Sequence, residues 1–279
     1  MKTDVVREIE EFVYEKPRSV QEIAEKLKKN WRTADRYVDE IIEERGSLGK
    51  RIFREGTRGA LKIIYWASVE KASATIFQEE LEQRISLGRT KFDFSCFDIY
   101  QHVEKKKKDV WVGQGKDEAD ARRLVEFRDL LVKAKKQILF FSGNLSFINF
   151  EDGDINIFDV VDDLVRKGVS IKVLCRVGID GEANIRKLLS LNSKYGKELI
   201  EVRHREQPLR VSVIDGKLLS LKEVVLPMDR KKELKKKTFI FYTIRDEKWG
   251  EWLSKIFWKM FMGSVGSGKR LEELERLKG

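Results

Sequence analysis

The sequence contains few of the residues on which metal sites, disulfides and histidine-based catalysis depend. Its 279 residues include two histidines, His102 and His204, and two cysteines, Cys96 and Cys175. Two cysteines are too few for a disulfide framework or a structural zinc site. Two histidines leave little material for general acid–base chemistry. We therefore expect no metal site and no cofactor.

Long apolar segments are also absent. No run of 18 or more apolar residues occurs, so the sequence predicts no transmembrane helix. The first seventeen residues are amphipathic and acidic, without the apolar region of a secretory signal. We therefore expect a cytoplasmic, nucleoid-associated protein without membrane contact. Many Lys and Glu beside few Cys and Met are typical of proteins from thermophiles.

Charge, by contrast, is abundant. The chain has 57 Lys and Arg against 47 Asp and Glu, which gives a formal net charge of +10, and charged residues make up 37% of it. Such an excess of positive charge favours an acidic partner, for instance a nucleic acid. The 16 Phe and 6 Trp supply enough apolar surface for a core, which excludes global disorder.

The first 45 residues predict three helices. Apolar residues recur at helical spacing over 3–15, and Pro17 ends this helix. Ser19 and Glu22 have the spacing of a capping box at the start of a short second helix. Asn30 can cap a third helix.

Two strand-like runs, 51–54 and 60–66, follow these helices and complete the order of a winged helix-turn-helix. The segment SVQEIAEKLKKNWRTADRYVDEIIEERG resembles the helix-turn-helix of bacterial and archaeal transcription regulators. The resemblance implies that the third helix enters the major groove of double-stranded DNA and that the hairpin contacts the flanking backbone. The expected DNA-binding residues are Ser19, Asn30, Trp31, Arg32, Thr33, Asp35, Arg36, Arg54, Thr57 and Arg58. The alternative is a small helical domain with a solvated charged face, in which Trp31 packs at the helix start.

Residues 68–116 are expected to link this domain, 1–67, to the rest of the chain. Apolar spacing predicts a helix over 68–87, which either pairs with a partner chain or packs on its own domain. The charge run 104–109 predicts a solvated turn. Residues 111–116, with two glycines, predict a loop.

From 117 to 262, alternating helical and strand patterns predict an α/β domain with a mixed sheet, so that the whole chain is of the α+β / α/β class. Asp215 and Gly216 form the turn signal of a hairpin. The glycine-rich stretch 263–268 lacks the Walker pattern, because Arg270 stands where Ser or Thr would hold magnesium. We expect it to be a flexible linker to a loosely attached charged helix over 269–278.

Two segments of this domain are similar to the core of phospholipase D-like domains. They are the strand–turn–strand LRVSVIDGKLLSL and the closing segment FYTIRDEKWGEWLSKIFWKMF. Active members of that superfamily carry H-x-K-x-x-x-x-D, in which the His is the nucleophile and the Lys neutralises phosphate. Aligned on Asp215, this chain has Pro208 at the His position and Arg210 at the Lys position. Proline offers no nucleophile, and neither histidine has the right spacing to replace it. The resemblance therefore implies a degenerate motif and no catalysis.

A winged helix followed by a degenerate phospholipase D-like domain resembles the archaeal TrmB family of regulators. In that family the C-terminal domain serves effector binding or oligomerisation, and some members coat DNA as chromatin proteins. The resemblance implies a sequence-specific transcription regulator, active as a homodimer, whose C-terminal domain contacts an effector or a general transcription initiation factor. The alternatives are a nucleoid-coating protein and a diverged phosphodiesterase or nuclease.

Overall fold

The computed structural model describes residues 3–45, 47–54, 60–66, 74–114, 118–227 and 236–278. The N-terminal part has three helices and a small antiparallel sheet of order β1-β3-β2. Its elements are α1 (Thr3–Glu15), β1 (Arg18–Ser19), α2 (Val20–Lys26), α3 (Trp31–Arg45), β2 (Leu48–Arg54) and β3 (Ala60–Trp66). The winged helix-turn-helix predicted from the sequence is confirmed in these elements.

The capping box at α2 forms as expected. The Ser19 amide donates to Glu22 Oε2 at 2.7 Å, and the Glu22 amide donates to Ser19 Oγ at 3.1 Å. These two bonds satisfy amides that the first turn of a helix leaves unpaired, which stabilises a helix by about 1 kcal/mol. Behind them Ile23 is fully buried and Ala24 is nearly so, and the small Ala24 allows α2 to approach its neighbours closely.

The turn between α2 and α3 contains a residue in a backbone conformation that favours glycine. Lys28 has φ of +52°, while its amide donates to Glu25 O and the Lys29 amide donates to Ala24 O, both at 2.9 Å. This is the geometry of a helix C-terminus at which glycine is the usual residue.

We expect Lys28→Gly to raise the free energy of unfolding by about 0.5–1 kcal/mol, because glycine adopts positive φ without the steric cost that a Cβ carries. Urea unfolding measures this as a higher midpoint at unchanged slope. The matched control, Lys29→Gly, adds chain entropy without relieving a positive φ and is expected to lower the midpoint. A lower midpoint for Lys28→Gly itself would contradict the interpretation of this turn.

The C-terminal part is built on an eight-stranded mixed sheet of order β13-β9-β8-β5-β10-β11-β12-β4. β5, β8 and β9 are parallel, and the remaining pairings are antiparallel. Its elements are α4 (Ala74–Leu87), α5 (Phe97–Tyr100), β4 (Lys108–Gln114), α6 (Glu118–Leu131), β5 (Gln137–Phe141), β6 (Glu151–Asp152), β7 (Ile155–Asn156), α7 (Ile157–Arg166), β8 (Ser170–Cys175), α8 (Glu182–Tyr195), β9 (Ile200–His204), β10 (Val211–Ile214), β11 (Leu218–Val225), β12 (Thr238–Arg245), α9 (Glu247–Met262), β13 (Val265–Gly266) and α10 (Ser267–Lys278). The predicted mixed-sheet α/β class is confirmed.

Two apolar cores cover the two faces of this sheet. On one face Leu219 and Leu221 of β11 and Tyr242 of β12 share a core with Phe257 of α9. On the other face the parallel strands contribute to a second core that includes Ile171 and residues of α7 and α8. Because side chains alternate along a strand, residues next to Leu219 and Leu221 point away from α9.

The winged helix packs directly on the C-terminal part. Phe53 of β2 and Tyr65 of β3 contact the ring of Phe97, with centroids 6.5 and 5.2 Å apart. Phe97 in turn contacts Tyr100 and Tyr242. This aromatic cluster ties the hairpin to the large sheet.

The solvated turn expected over 104–109 is present at Lys105–Lys107, but residues 108 and 109 belong to a strand, and the loop expected over 111–116 is wrong within the described residues. A 3-10 turn at Lys105–Lys107 leads into β4, which is an edge strand paired with β12. The reason is an aromatic contact at long range, since Trp111 stacks on Phe241 with centroids 4.3 Å apart and an angle of 16°. Residues 115–117 lie outside the described part.

The flexible linker expected over 263–268 and the loose attachment of the last helix are also wrong. β13 pairs with β9, placing Val265 opposite His204. In α10, Leu271 and Leu274 are 7% and 5% exposed and belong to the second core. Their spacing of three residues puts both on one helix face, so a charged helix is anchored by two leucines.

No helix in the described ranges combines the length and apolar character that a bilayer span requires.

Candidate nucleic-acid interface

The start of α3 presents polar side chains to solvent. Asn30 Oδ1 accepts from the Thr33 amide at 2.9 Å and from Thr33 Oγ1 at 3.1 Å, which fixes the first turn. Asn30, Arg32 and Arg36 are exposed. Arg36 Nε lies 3.5 Å from Glu40 Oε1 in an exposed pair, and such pairs hold a side chain only weakly. These residues form a surface at the helix end that a winged helix inserts into the major groove.

Three cations beside this surface are not part of the helix-turn-helix pattern from which the DNA-binding residues were predicted. Lys28 and Lys29 precede Asn30 and are exposed, and Arg51 is exposed on β2. Positive charge at these places is suited to phosphate contacts. Lys28 and Lys29 could have been predicted from the sequence, because they directly precede the predicted third helix. Arg51 could not, because the strand register decides which face of the hairpin its side chain lies on.

Three of the residues predicted to bind DNA support the domain from inside. Ser19 is buried in the capping box. Asp35 accepts from Lys50 Nζ at 2.7 Å and from Lys62 Nζ. Burial alone raises the pKa of Asp35, but the hydrogen bonds from both lysines bring it below its ordinary value. Trp31 packs at the edge of the small core, so the packing alternative describes it better.

The wing itself is described only in part. Arg54 is the last residue of β2, and its side chain, with Thr57 and Arg58, lies outside the described residues. The strands leading to the tip are antiparallel, with Arg54 opposite Ala60. The role of Arg54, Thr57 and Arg58 in DNA binding stays a prediction.

The three positions of the degenerate motif serve different purposes. Pro208 is buried, and a Cβ added to Gly88 would lie 2.7 Å from its Cγ, so the two residues are in close contact. Arg210 Nη1 donates to Leu209 O at 2.6 Å and the guanidinium lines a large cavity. Asp215 lies at the other end of β10, in the turn to β11.

Asp215 holds the start of β5. Its carboxylate accepts from the amides of Lys135, Lys136 and Gln137 at 2.8, 2.9 and 2.9 Å. Partial burial raises its pKa, but the three amides lower it below the ordinary value. The φ angles of Asp215 and Gly216, +50° and +68°, are those of a two-residue hairpin turn. The acidic position of the motif thus has a structural role.

We expect Asp215→Ala to lower the free energy of unfolding by about 3 kcal/mol, because three amides lose a charged acceptor and alanine tolerates positive φ poorly. Chemical unfolding monitored by circular dichroism measures it. Asp215→Asn, which keeps one oxygen and adopts this backbone conformation readily, is expected to lose about half as much. An unchanged midpoint for the alanine variant would refute this structural role.

Both histidines contact neighbouring groups of the fold, and the pKa of each is lowered. His204 Nδ1 accepts from the Val177 amide at 2.9 Å, and burial lowers its pKa. The His102 ring lies 3.7 Å from that of Phe77, and burial, with the nearby Lys108, lowers its pKa to about 4. Within the described ranges, no three or more His, Cys, Asp or Glu side chains converge as metal ligands would.

The winged helix and the mixed-sheet domain define the architecture of the chain. No protein-family model matches the sequence, and no curated protein sequence matches it. Solved structures show a distant likeness. Nuc from Salmonella typhimurium, a phospholipase D family member, is 15% identical, with 57% of this chain and 98% of that chain covered and a TM-score of 0.41.

NucT from Helicobacter pylori is 13% identical over 57% of this chain and 98% of that chain, with a TM-score of 0.40. TrmBL2, an archaeal chromatin protein whose structure shows a novel mode of DNA binding, is 14% identical over 94% of this chain and 93% of that chain. Its TM-score is 0.36.

Proposed function

We propose that this protein binds double-stranded DNA through its winged helix and acts as a TrmB-like transcription regulator. The exposure of Asn30, Arg32 and Arg36 at the start of α3, beside exposed Lys28 and Lys29, supports this proposal. Arginine donors can bind guanine edges and asparagine can bind adenine in the major groove. The lysines of the turn are suited to phosphates, which position a protein without reading sequence.

The proposal is tested by titrating the full chain onto a fluorescent 30-bp duplex at several salt concentrations. Binding through phosphate contacts releases counterions, so the logarithm of the affinity falls linearly with the logarithm of the salt concentration. We expect binding at low salt with a clearly negative slope. Absence of binding at about 50 mM salt would refute the proposal.

Nuclease footprinting on genomic fragments separates the regulator from a nucleoid-coating protein. A regulator protects bounded sites that survive an excess of unrelated DNA, since base contacts discriminate between sequences. Uniform coverage that disappears as salt rises would favour the coating role. The net charge of +10 is compatible with both.

We further propose that the C-terminal domain has no phosphodiesterase activity, because buried Pro208 stands at the nucleophile position. Incubation with supercoiled plasmid and with a chromogenic phosphodiester tests this. No turnover is expected, and turnover abolished by His204→Ala would overturn it.

A homodimer completes the proposal. Two winged helices related by a two-fold axis match half-sites about 34 Å apart on one face of the duplex. Light scattering is expected to give twice the chain mass of 32.7 kDa, and a monomeric mass at working concentration would reject the dimer.

A further inference from the structure

A cavity of about 540 Å³ lies on the face of the sheet opposite α9, beside α6. Ser220 and Lys222 of β11 and Phe239 and Phe241 of β12 form part of its floor. They alternate with Leu219 and Leu221, which point into the core under α9. The loop that follows β5 and the residues before β10 close one end. The cavity is therefore built into the sheet and is independent of the winged helix.

The charge of this cavity is strongly one-sided. Among the described residues, eight cations line it against two carboxylates, Glu126 and Glu206. One of these, Glu126, already pairs with Arg122 at 2.9 Å. The cations come from widely separated parts of the chain: Arg89, Lys91, Arg123, Arg176, Arg205, Arg210, Lys222 and Lys237.

Lys222 lies in this cavity beside an aromatic ring and several other cations. It is half-buried, and the charged groups that act on it most strongly are all cations. Its Nζ lies 4.6 Å from the centre of the Phe239 ring. Burial, with the charges of Arg123, Lys237, Lys91 and Arg210, lowers its pKa to about 7. A buried cation among other cations is costly unless a counter-charge joins it.

The neighbours of Lys222 are likewise available to an anion. Lys91, Lys237 and Arg210 form no ion pair with a described carboxylate, and the hydrogen bonds of Arg210 go to the carbonyls of Gln207 and Leu209. Burial and the charges of Lys237 and Arg210 lower the pKa of Lys91. Four cations thus converge from the loop after α4, from β11 and from the residues leading into β10 and β12.

We propose that this cavity binds a phosphorylated small molecule with at least two negative charges, of the nucleotide class. Phosphate groups satisfy several cations at once and accept many hydrogen bonds. The volume is within the range of small-molecule sites. Phe147, Phe150 and Trp111 also line the cavity, and aromatic walls of this kind can stack on a nucleobase. The hydroxyl groups of Ser142 and Ser212 add hydrogen-bonding groups near a ribose or phosphate.

Isothermal titration of the full chain at pH 6.5 tests the proposal with two probes, inorganic pyrophosphate and ADP. We expect both to bind and ADP to bind at least tenfold more tightly, because only ADP uses the aromatic walls. Lys222→Met and Lys91→Ala are each expected to weaken both probes at least tenfold. Lys167→Met, an exposed substitution with the same charge change, is expected to leave the affinities unchanged.

Three results would overturn the proposal: no binding of either probe, equal affinity for pyrophosphate and ADP, or binding that Lys222→Met leaves unchanged.

The 30-bp duplex is titrated onto the same variants. We expect Lys222→Met to bind the duplex like the parent chain. A loss of duplex affinity as large as the loss for ADP would instead assign the cavity to the DNA surface.

Discussion

A variant in which Ala replaces both Arg32 and Arg36 is expected to bind double-stranded DNA about 100-fold more weakly than the parent chain. Each base or phosphate contact of an arginine contributes about 1–3 kcal/mol, and about 1.4 kcal/mol per residue already gives this factor. Both side chains are exposed, so the fold should be unaffected. Fluorescence anisotropy with a labelled duplex at fixed salt measures the change.

The control for this variant removes the same charge elsewhere. Arg166 and Arg186 lie on α7 and α8, each in an ion pair with a carboxylate of its own helix. Their double replacement by Ala also changes the net charge by two and is expected to lower DNA affinity by less than threefold. An equal loss in both double variants would show that overall charge, and not the α3 surface, controls binding.

Lys222→Met is expected to stabilise the free protein by about 4–5 kcal/mol near pH 6.5. The pKa of Lys222 is lowered from 10.5 to about 7, and each pKa unit corresponds to about 1.36 kcal/mol. Methionine fills similar space without the buried charge. A substitution that stabilises the protein while it removes ligand binding is typical of a functional site.

The same variant should show a defined pH dependence. Below pH 7, Lys222 is charged in both the folded and the unfolded chain, so its full destabilising effect is present. Between pH 7 and 10.5 the folded state binds fewer protons than the unfolded state, so the stability of the parent chain rises with pH. The advantage of Lys222→Met should therefore shrink from pH 7 upward and vanish near pH 10.5.

Urea unfolding at pH 6.5, 8.5 and 10.5 measures this trend. The exposed control Lys167→Met is expected to change the midpoint by little at any of these values. A Lys222→Met variant that is less stable than the parent at pH 6.5 would show that its ammonium is well compensated in the cavity.

The sequence predicted best where the signal is local. The capping box of Ser19 and Glu22, the cap at Asn30 and the turn at Asp215 each depend on residues within a few positions. All three form as predicted. The order of helices and strands follows from periodicity for the same reason.

Prediction failed where a residue depends on a distant partner. β4 is a strand because Trp111 meets Phe241 across the sheet, and nothing in its lysine-rich flank indicates this. Asp35 has the sequence position of a DNA contact, but its carboxylate accepts hydrogen bonds from Lys50 and Lys62 of the hairpin. A local sequence pattern cannot show whether a carboxylate at this position contacts DNA or pairs with lysines of the same domain.

The cavity illustrates the same limit. The alternation of Leu219, Ser220, Leu221 and Lys222 predicts that one face of β11 is polar. It does not predict that Lys91 meets this face from more than a hundred residues away, because that contact is set by the sheet order.

Hydrogen exchange of the full chain with and without a 30-bp duplex tests most directly whether the winged helix is the DNA-binding surface. We expect the duplex to slow amide exchange at the start of α3 and in β2 and β3, and to leave the strands of the cavity, β10 to β12, unchanged. Slowed exchange confined to the cavity strands, with α3 unaffected, would contradict the proposed function.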